Sequence, residues 1–265
     1  MLGAIIGDIV GSRFEFNNRK SKEFRFFHNR CRPTDDSCMT LAVARAILNC
    51  GGDAARLPGE AVRSMQEMGR RFPYAGYGGT FREWLRAEDP QPYNSWGNGA
   101  AMRVSPCGWA ANTLEEALAF SDAVTGVTHD HPEGLKGARA VTAAIFLARQ
   151  GADKGAILDH IRANYYPLGF TLDGIRPDYR FDVSCQGSVP QAIEAFAEGA
   201  DFEDTVRGAV SIGGDSDTIA AIAGSIAEAH CGIPAAIREE ALGFLPPELT
   251  EIVTAFEARY GAKRI

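Results

Sequence analysis

The chain has 265 residues, 45% of them hydrophobic and 23% charged, and its 27 basic and 34 acidic residues give a formal charge of −7. These proportions belong to a soluble globular protein and exclude a disordered, collagenous or membrane-spanning chain. The acidic balance argues against a nucleic-acid partner gripped through a basic face, but leaves room for a small anionic ligand at a local positive or metal-bearing site.

The apolar opening MLGAIIGDIVGS lacks a basic flank and is broken by Asp8, so neither a signal peptide nor a membrane span is expected. Within it Leu2, Ile5, Ile6, Ile9 and Val10 recur at helical spacing, while Gly3, Gly7 and Gly11 form a second stripe. Each glycine costs a helix about 1 kcal/mol relative to alanine, so the stripe predicts a close backbone neighbour, within one chain or between copies. Phe24–Phe27 is the first of two short stretches that suit extended chain. Met39 to Cys50 forms an amphipathic face stopped by Gly51-Gly52. Gly76–Gly79 and Asp89–Gly99 read as surface loops. Thr113 and Glu116 fit a capping box ahead of a helix over 114–124. Pro132 suits the first turn of a helix running to Arg149. Phe181–Val183 is the second extended candidate. Ser188-Val189-Pro190 opens a helix ending near Gly199, and helices over 202–212 and 218–230 follow, closed by Gly232 and Pro234. No βαβ rhythm, repeat or linker is present, which predicts one all-α domain over residues 1–265. Six scattered cysteines without a C-x-x-C pair predict free thiols and a cytoplasmic protein.

Two acidic clusters stand immediately before two of these helices. The first is Thr34-Asp35-Asp36-Ser37 and the second is Asp215-Ser216-Asp217-Thr218. Each supplies two carboxylates and a threonine hydroxyl, which are the hard oxygen donors that Mg²⁺ or Mn²⁺ prefers. Helix capping is the plain alternative, because Thr and Asp are favoured N-caps. A cap uses one side chain, however, and each cluster carries three. If the clusters meet, four carboxylates face one another and need cations or protons to relieve their repulsion. Two divalent ions match that charge.

At these residues the chain resembles the ADP-ribosylglycohydrolases. The resemblance runs through Gly3 to Glu15 (G-x-x-x-G-D-x-x-G-S-x-x-E), Thr34-Asp35-Asp36, Gly97-Asn98-Gly99-Ala100-Ala101-Met102-Arg103, Thr128-His129, Ser184-Cys185 to Pro190, and Gly213 to Thr218. It implies a compact orthogonal helical bundle with a binuclear Mg²⁺ centre, sometimes Mn²⁺, and hydrolysis of the glycosidic bond at C1″ of the distal ribose of ADP-ribose. Carried over position by position, it makes Thr34, Asp35, Asp36, Asp215, Asp217 and Thr218 the metal ligands. It puts Glu15, Asp36 and Asp217 in the catalytic set. Ser95, Trp96, Gly97, Asn98 and Gly99 become the loop that holds the phosphates, and Thr128-His129 falls at the substrate cleft. The usual T-D-D-T reads T-D-D-S, and Trp96 stands where some relatives carry tyrosine.

Physical chemistry gives these residues matching roles. Glycines in the 95–99 loop let backbone N–H groups approach an anion. His129 and His131 lack a third soft ligand, so they order the site or touch substrate rather than bind metal, and either one fits. Asp8 could brace the site or only pair locally, and is left out of the catalytic set. The expected partner is an ADP-ribosylated protein, with arginine the first candidate aglycone, or an ADP-ribose-containing small molecule. No membrane partner is expected, and the chain is read as a monomer or small homo-oligomer. A nucleotide or diphosphate hydrolase is the first competing reading, although Asp35-Asp36-Ser37-Cys38-Met39 lacks the second acidic position of D-D-x-x-D. A non-catalytic ADP-ribose binder is the second.

Overall fold

The computed structural model describes residues 1–261. In chain order these form α1 (Leu2–Gly11), α2 (Asp35–Cys50), α3 (Leu57–Arg71), α4 (Gly79–Trp84), α5 (Ser105–Ala110), α6 (Leu114–Thr125) and α7 (Pro132–Arg149). There follow α8 (Lys154–Asn164), α9 (Leu172–Ile175), α10 (Cys185–Glu198), α11 (Phe202–Ser211), α12 (Ser216–Cys231), α13 (Ala235–Leu242) and α14 (Pro247–Tyr260), and a 3₁₀ turn, Asn98–Ala100, precedes α5. No strand occurs among the described residues, so the fold is all-α. No described helix is long and apolar enough to cross a membrane.

Helix starts follow cap chemistry more closely than apolar periodicity. Thr34 accepts from the Asp36 N–H, Thr113 from Glu116 and Ser184 from Gly187. The second helix therefore begins at Asp35, a turn before the apolar face that starts at Met39. Likewise α10 begins at Cys185 rather than Ser188, which leaves Pro190 inside it. A proline there removes one backbone hydrogen bond.

The two extended candidates form no strands. Around Phe24–Phe27, arginine side chains take up the carbonyls that a neighbouring strand would have bound: Arg207 donates to Phe24 O at 2.5 Å and Arg13 to Arg25 O. At 181–183 only the end finds a partner, through an isolated bridge between Gly97 and Ser184. Asn98 N donates to Val183 O (2.7 Å) and Cys185 N to Trp96 O (2.9 Å), which staples the 95–99 loop to the start of α10.

One connected cluster of buried apolar side chains runs from Met1 to Tyr260. At its centre α1 and α12 lie backbone against backbone. A methyl group added to Gly7 would sit 2.0 Å from Ala220 O, one on Gly3 2.3 Å from Gly224 O, and one on Gly11 2.5 Å from Ser216 O. The glycine stripe thus packs within the chain. It brings the end of α1 against the start of α12, where the second acidic cluster lies.

Candidate active site

The first two helices and α12 deliver their acidic residues to one place. Asp8, Asp36 and Asp217 each offer a carboxylate oxygen within 4.8 Å of the others, and so do Glu15, Asp215 and Asp217. Asp217 belongs to both groups. Thr218 Oγ1 donates to Asp36 Oδ2 at 3.3 Å, which joins the two clusters directly. Asp35 is half-buried on the cleft wall, so close to Gly76 that a methyl group there would lie 2.8 Å from Asp35 Oδ1. Thr34, Asp36, Asp215, Asp217 and Thr218 are buried, and Glu15 is half-buried just beyond α1.

Capping accounts for only part of this. Thr34 does cap α2, but Asp215, the residue before α12, makes no side-chain cap bond. Its Oδ2 instead accepts from Asn98 Nδ2 at 2.6 Å, and the same amide donates to Ser188 Oγ at 2.9 Å. Asn98 thus ties the 95–99 loop to the acidic centre.

Burial, reinforced by neighbouring negative charges, sets the electrostatics. It raises Asp36 and Asp217 well above the usual carboxylate range, and Asp8 and Asp215 upward as well. Asp35 rises to about 7, from burial and then from Asp8, and Glu15 rises to about 7, from burial and then from Asp215. Arg32 offsets part of the Glu15 shift. Asp36 Oδ1 is buried without a hydrogen-bond partner. A cluster of oxygen donors with excess negative charge and an orphaned carboxylate oxygen fits a hard divalent cation.

Asp8 does more than the sequence indicates. Its Oδ2 accepts from the N–H groups of Thr34 (2.8 Å) and Ser37 (3.0 Å) and from the Ser37 hydroxyl, and its Oδ1 accepts from Thr34 Oγ1 (2.7 Å). It holds the start of α2 and stands within reach of the same centre. The available signal was a carboxylate set among apolar residues of a helix that is buried on every side. Asn18, another residue missed, grips the Gly214 backbone in both directions. Its Nδ2 donates to Gly214 O (3.1 Å) and also to Glu15 O (2.9 Å), and its Oδ1 accepts from Gly214 N (2.9 Å).

The acidic centre opens into a cleft of ≈ 620 Å³, which Ser95 to Gly99 and His129 also line. Within the loop, the Gly97 N–H is taken by Ser95 Oγ (3.1 Å) and the Asn98 N–H by Val183 O, so these two do not face an anion as the loop pattern predicts. Trp96 is half-exposed at the mouth, with its ring 5.4 Å from that of His131. The two histidines separate in role. His131 Nδ1 caps α7 through the Glu133 N–H, whereas His129 is buried with Nε2 toward the glycine loop.

Known proteins match this arrangement across its length. The family model described as ADP-ribosylglycohydrolase covers residues 1–263. The mouse protein named ADP-ribosylhydrolase ARH3 is 24% identical over 92% of this chain and 86% of its own length. The Pseudomonas putida protein named ADP-ribosylarginine hydrolase Tri1 is 25% identical over 96% of this chain and 72% of its own. A solved structure titled ADP-ribosylglycohydrolase-related protein complex superposes with a TM-score of 0.70 and 25% identity, covering 98% of this chain and 95% of its own. The chain belongs to the ADP-ribosylglycohydrolase family and is an enzyme of the ADP-ribose-removing hydrolase type.

Proposed function

We propose that the cleft hydrolyses the glycosidic bond at C1″ of the distal ribose of ADP-ribose, with arginine side chains of modified proteins as the preferred aglycone. Two Mg²⁺ ions, or Mn²⁺ in their place, would be held by Thr34, Asp35, Asp36, Asp215, Asp217 and Thr218. The observation that carries this is the meeting of Asp36, Asp217, Asp215 and Glu15 in one buried centre that leaves Asp36 Oδ1 without a partner. When bound, such cations orient hydroxyl groups and acidify water.

The chain's own residues supply the rest. Glycosidic cleavage passes through an oxocarbenium-like transition state and needs a base for the attacking water. Glu15, half-buried beside Asp215 and Asp217, would accept that proton, and its nearness to both supports the reading. Asn98 holds Asp215 in register. Ser95 to Gly99 and His129 also line the cleft, and the diphosphate would lie along them. An arginine aglycone is cationic, and the Glu15 carboxylate on the cleft wall would favour a cation there. The name of the Pseudomonas relative points the same way.

A substrate panel tests the proposal: ADP-ribosyl-arginine, ADP-ribosyl-serine, O-acetyl-ADP-ribose and an ADP-ribosylated DNA end, each with Mg²⁺ and with EDTA, followed by mass spectrometry of the products. Release of free ADP-ribose, fastest from arginine and abolished by EDTA, is expected. AMP or inorganic phosphate as product would replace the reaction, turnover in EDTA would remove the metals, and a faster non-arginine substrate would replace the aglycone.

A further inference from the structure

Residues 12–34, between α1 and α2, contain neither helix nor strand. A connection that long inside a compact domain is uncommon and usually functional. It holds seven of the 27 basic residues of the chain and two of the 34 acidic ones. A strip of net positive charge therefore lies on a protein whose remaining residues are more acidic than its total charge indicates.

The strip is anchored, not loose. Phe14, Phe26 and Phe27 are buried in the core, and polar side chains take up the backbone carbonyls. Asn18 Nδ2 donates to Phe14 O at 2.9 Å, Lys20 Nζ to Tyr179 O at 2.8 Å, Arg13 to Arg25 O and Arg19 to Glu23 O. Among the described residues, Lys22 is the one cation of the seven that pairs with a carboxylate, that of Asp204 at 2.8 Å. The arginines crowd each other instead: Arg13 is pulled below its ordinary value first by burial and then by the like charges of Arg30, Arg25 and Arg19. The exposed side chains of Arg25, Arg30 and Arg32 have no hydrogen-bond or ion-pair partner among the described residues. Like charges held together without a counter-charge leave a positive potential for an anionic partner.

Both ends of the strip border the acidic centre. Glu15 lines the cleft, Arg32 acts on the Glu15 carboxyl, and Thr34 ends the segment at the start of α2. A polypeptide whose modified residue enters the cleft would thus pass close to the arginines.

We propose that residues 12–34 form a docking surface for an acidic segment of the modified protein, so that the enzyme prefers ADP-ribosylated sites flanked by Asp and Glu. That the docked protein carries ADP-ribose rests on the function proposed above; that the strip takes an acidic peptide does not. Guanidinium forks match carboxylates in geometry as well as charge. A nucleic acid fits less well, because a longer polyanion would run off the strip onto acidic surface, and Phe14, Phe26 and Phe27 are too buried to stack on bases.

The test compares two ADP-ribosyl-arginine peptides, one flanked by Asp and Glu and one by Asn and Gln, with ADP-ribosyl-arginine alone. At low salt the acidic peptide should have a KM about tenfold lower at equal kcat, and the difference should vanish at about 0.5 M salt, where the Debye length is a few ångströms. The double variant Arg25→Glu, Arg30→Glu should erase the difference, while kcat/KM for ADP-ribosyl-arginine alone changes by less than about twofold. The pair Arg25→Lys, Arg30→Lys should retain most of it. Equal KM for the two peptides in the wild type, or an equal loss for ADP-ribosyl-arginine alone in the double variant, overturns the docking surface. The wild-type salt comparison decides the matter without any variant. An unmodified, fluorescent acidic peptide read by anisotropy separates docking from the reaction. Binding weakened at least about tenfold by the double variant supports the surface even where no substrate is turned over, and unchanged binding overturns it. A single-stranded oligonucleotide that binds more tightly than the acidic peptide, and displaces it, overturns the choice of partner.

Discussion

Asp8 on α1 accepts both the backbone N–H and the hydroxyl of Thr34, at 2.8 and 2.7 Å, so one buried carboxylate fixes the residue that caps α2. Because Thr34 also precedes Asp35 and Asp36, this contact sets where two of the proposed ligands stand. Asp8→Ala should leave the Thr34 and Ser37 donors unsatisfied and lower the unfolding free energy by about 2–4 kcal/mol, from roughly 1–3 kcal/mol per buried unmet group. Asp8→Asn should fold, since the amide oxygen can serve the Oδ2 donors, but should bind Mg²⁺ at least about tenfold more weakly through the lost charge. Denaturant titration and calorimetry separate the two effects. Wild-type Mg²⁺ affinity in Asp8→Asn would confine Asp8 to bracing.

The metal-free protein should be least stable at alkaline pH. Glu15 and Asp35 each rise to about 7, above their ordinary 4.5 and 3.8, because burial penalises the charged forms. A carboxyl whose folded value is raised contributes stability that is fully present below its unfolded value and is lost as pH climbs through the folded one. In EDTA the melting temperature should therefore fall between about pH 4 and 7. Mg²⁺ binds the ionised forms, so the melting increment it produces should grow over the same interval. A pH-independent increment in thermal melts would contradict the shared carboxylate site.

Glu15→Gln should cut turnover by at least about a hundredfold, the size of a general-base contribution, while Mg²⁺ still raises the melting temperature. Turnover within about threefold of wild type would take Glu15 out of the reaction. Asn18→Ala removes the amide that joins the Glu15 carbonyl to Gly214. It should lower kcat about tenfold, because misplacing a catalytic group by a fraction of an ångström is costly. Its Mg²⁺ affinity should change little. A fall in Mg²⁺ affinity equal to the fall in kcat would mean that Asn18 supports the metal loop rather than Glu15.

Two glycine-to-alanine changes should have opposite effects. At Gly7 the added methyl group would sit 2.0 Å from Ala220 O, which is backbone and cannot yield. Gly7→Ala should destabilise by about 3 kcal/mol or more through overpacking, and should lose Mg²⁺ binding as α1 moves away from α12. Gly59 lies in α3 with nothing within 4 Å of the added atom, so Gly59→Ala should stabilise by about 0.5–1 kcal/mol. Chemical denaturation of both variants checks the pair.

The sequence by itself determined the helical class, seven of the fourteen described helices and the two Thr/Asp clusters, because apolar periodicity, caps and two repeated Thr/Asp patterns are local signals. It also predicted, from three glycines four apart, that another backbone must approach α1, though not which one. Only the tertiary structure decided that this backbone is α12. That contact brings the start of α12, with Asp217, to the end of α1, while the packing of α1 against α2 gives Asp8 its Thr34 and Ser37 partners. The tertiary structure likewise separated His129 from His131 and spent two loop N–H groups on Ser95 and Val183. Those outcomes depend on pairings between residues far apart in the chain, and a local pattern carries no information about which distant partner will satisfy a buried donor, acceptor or charge.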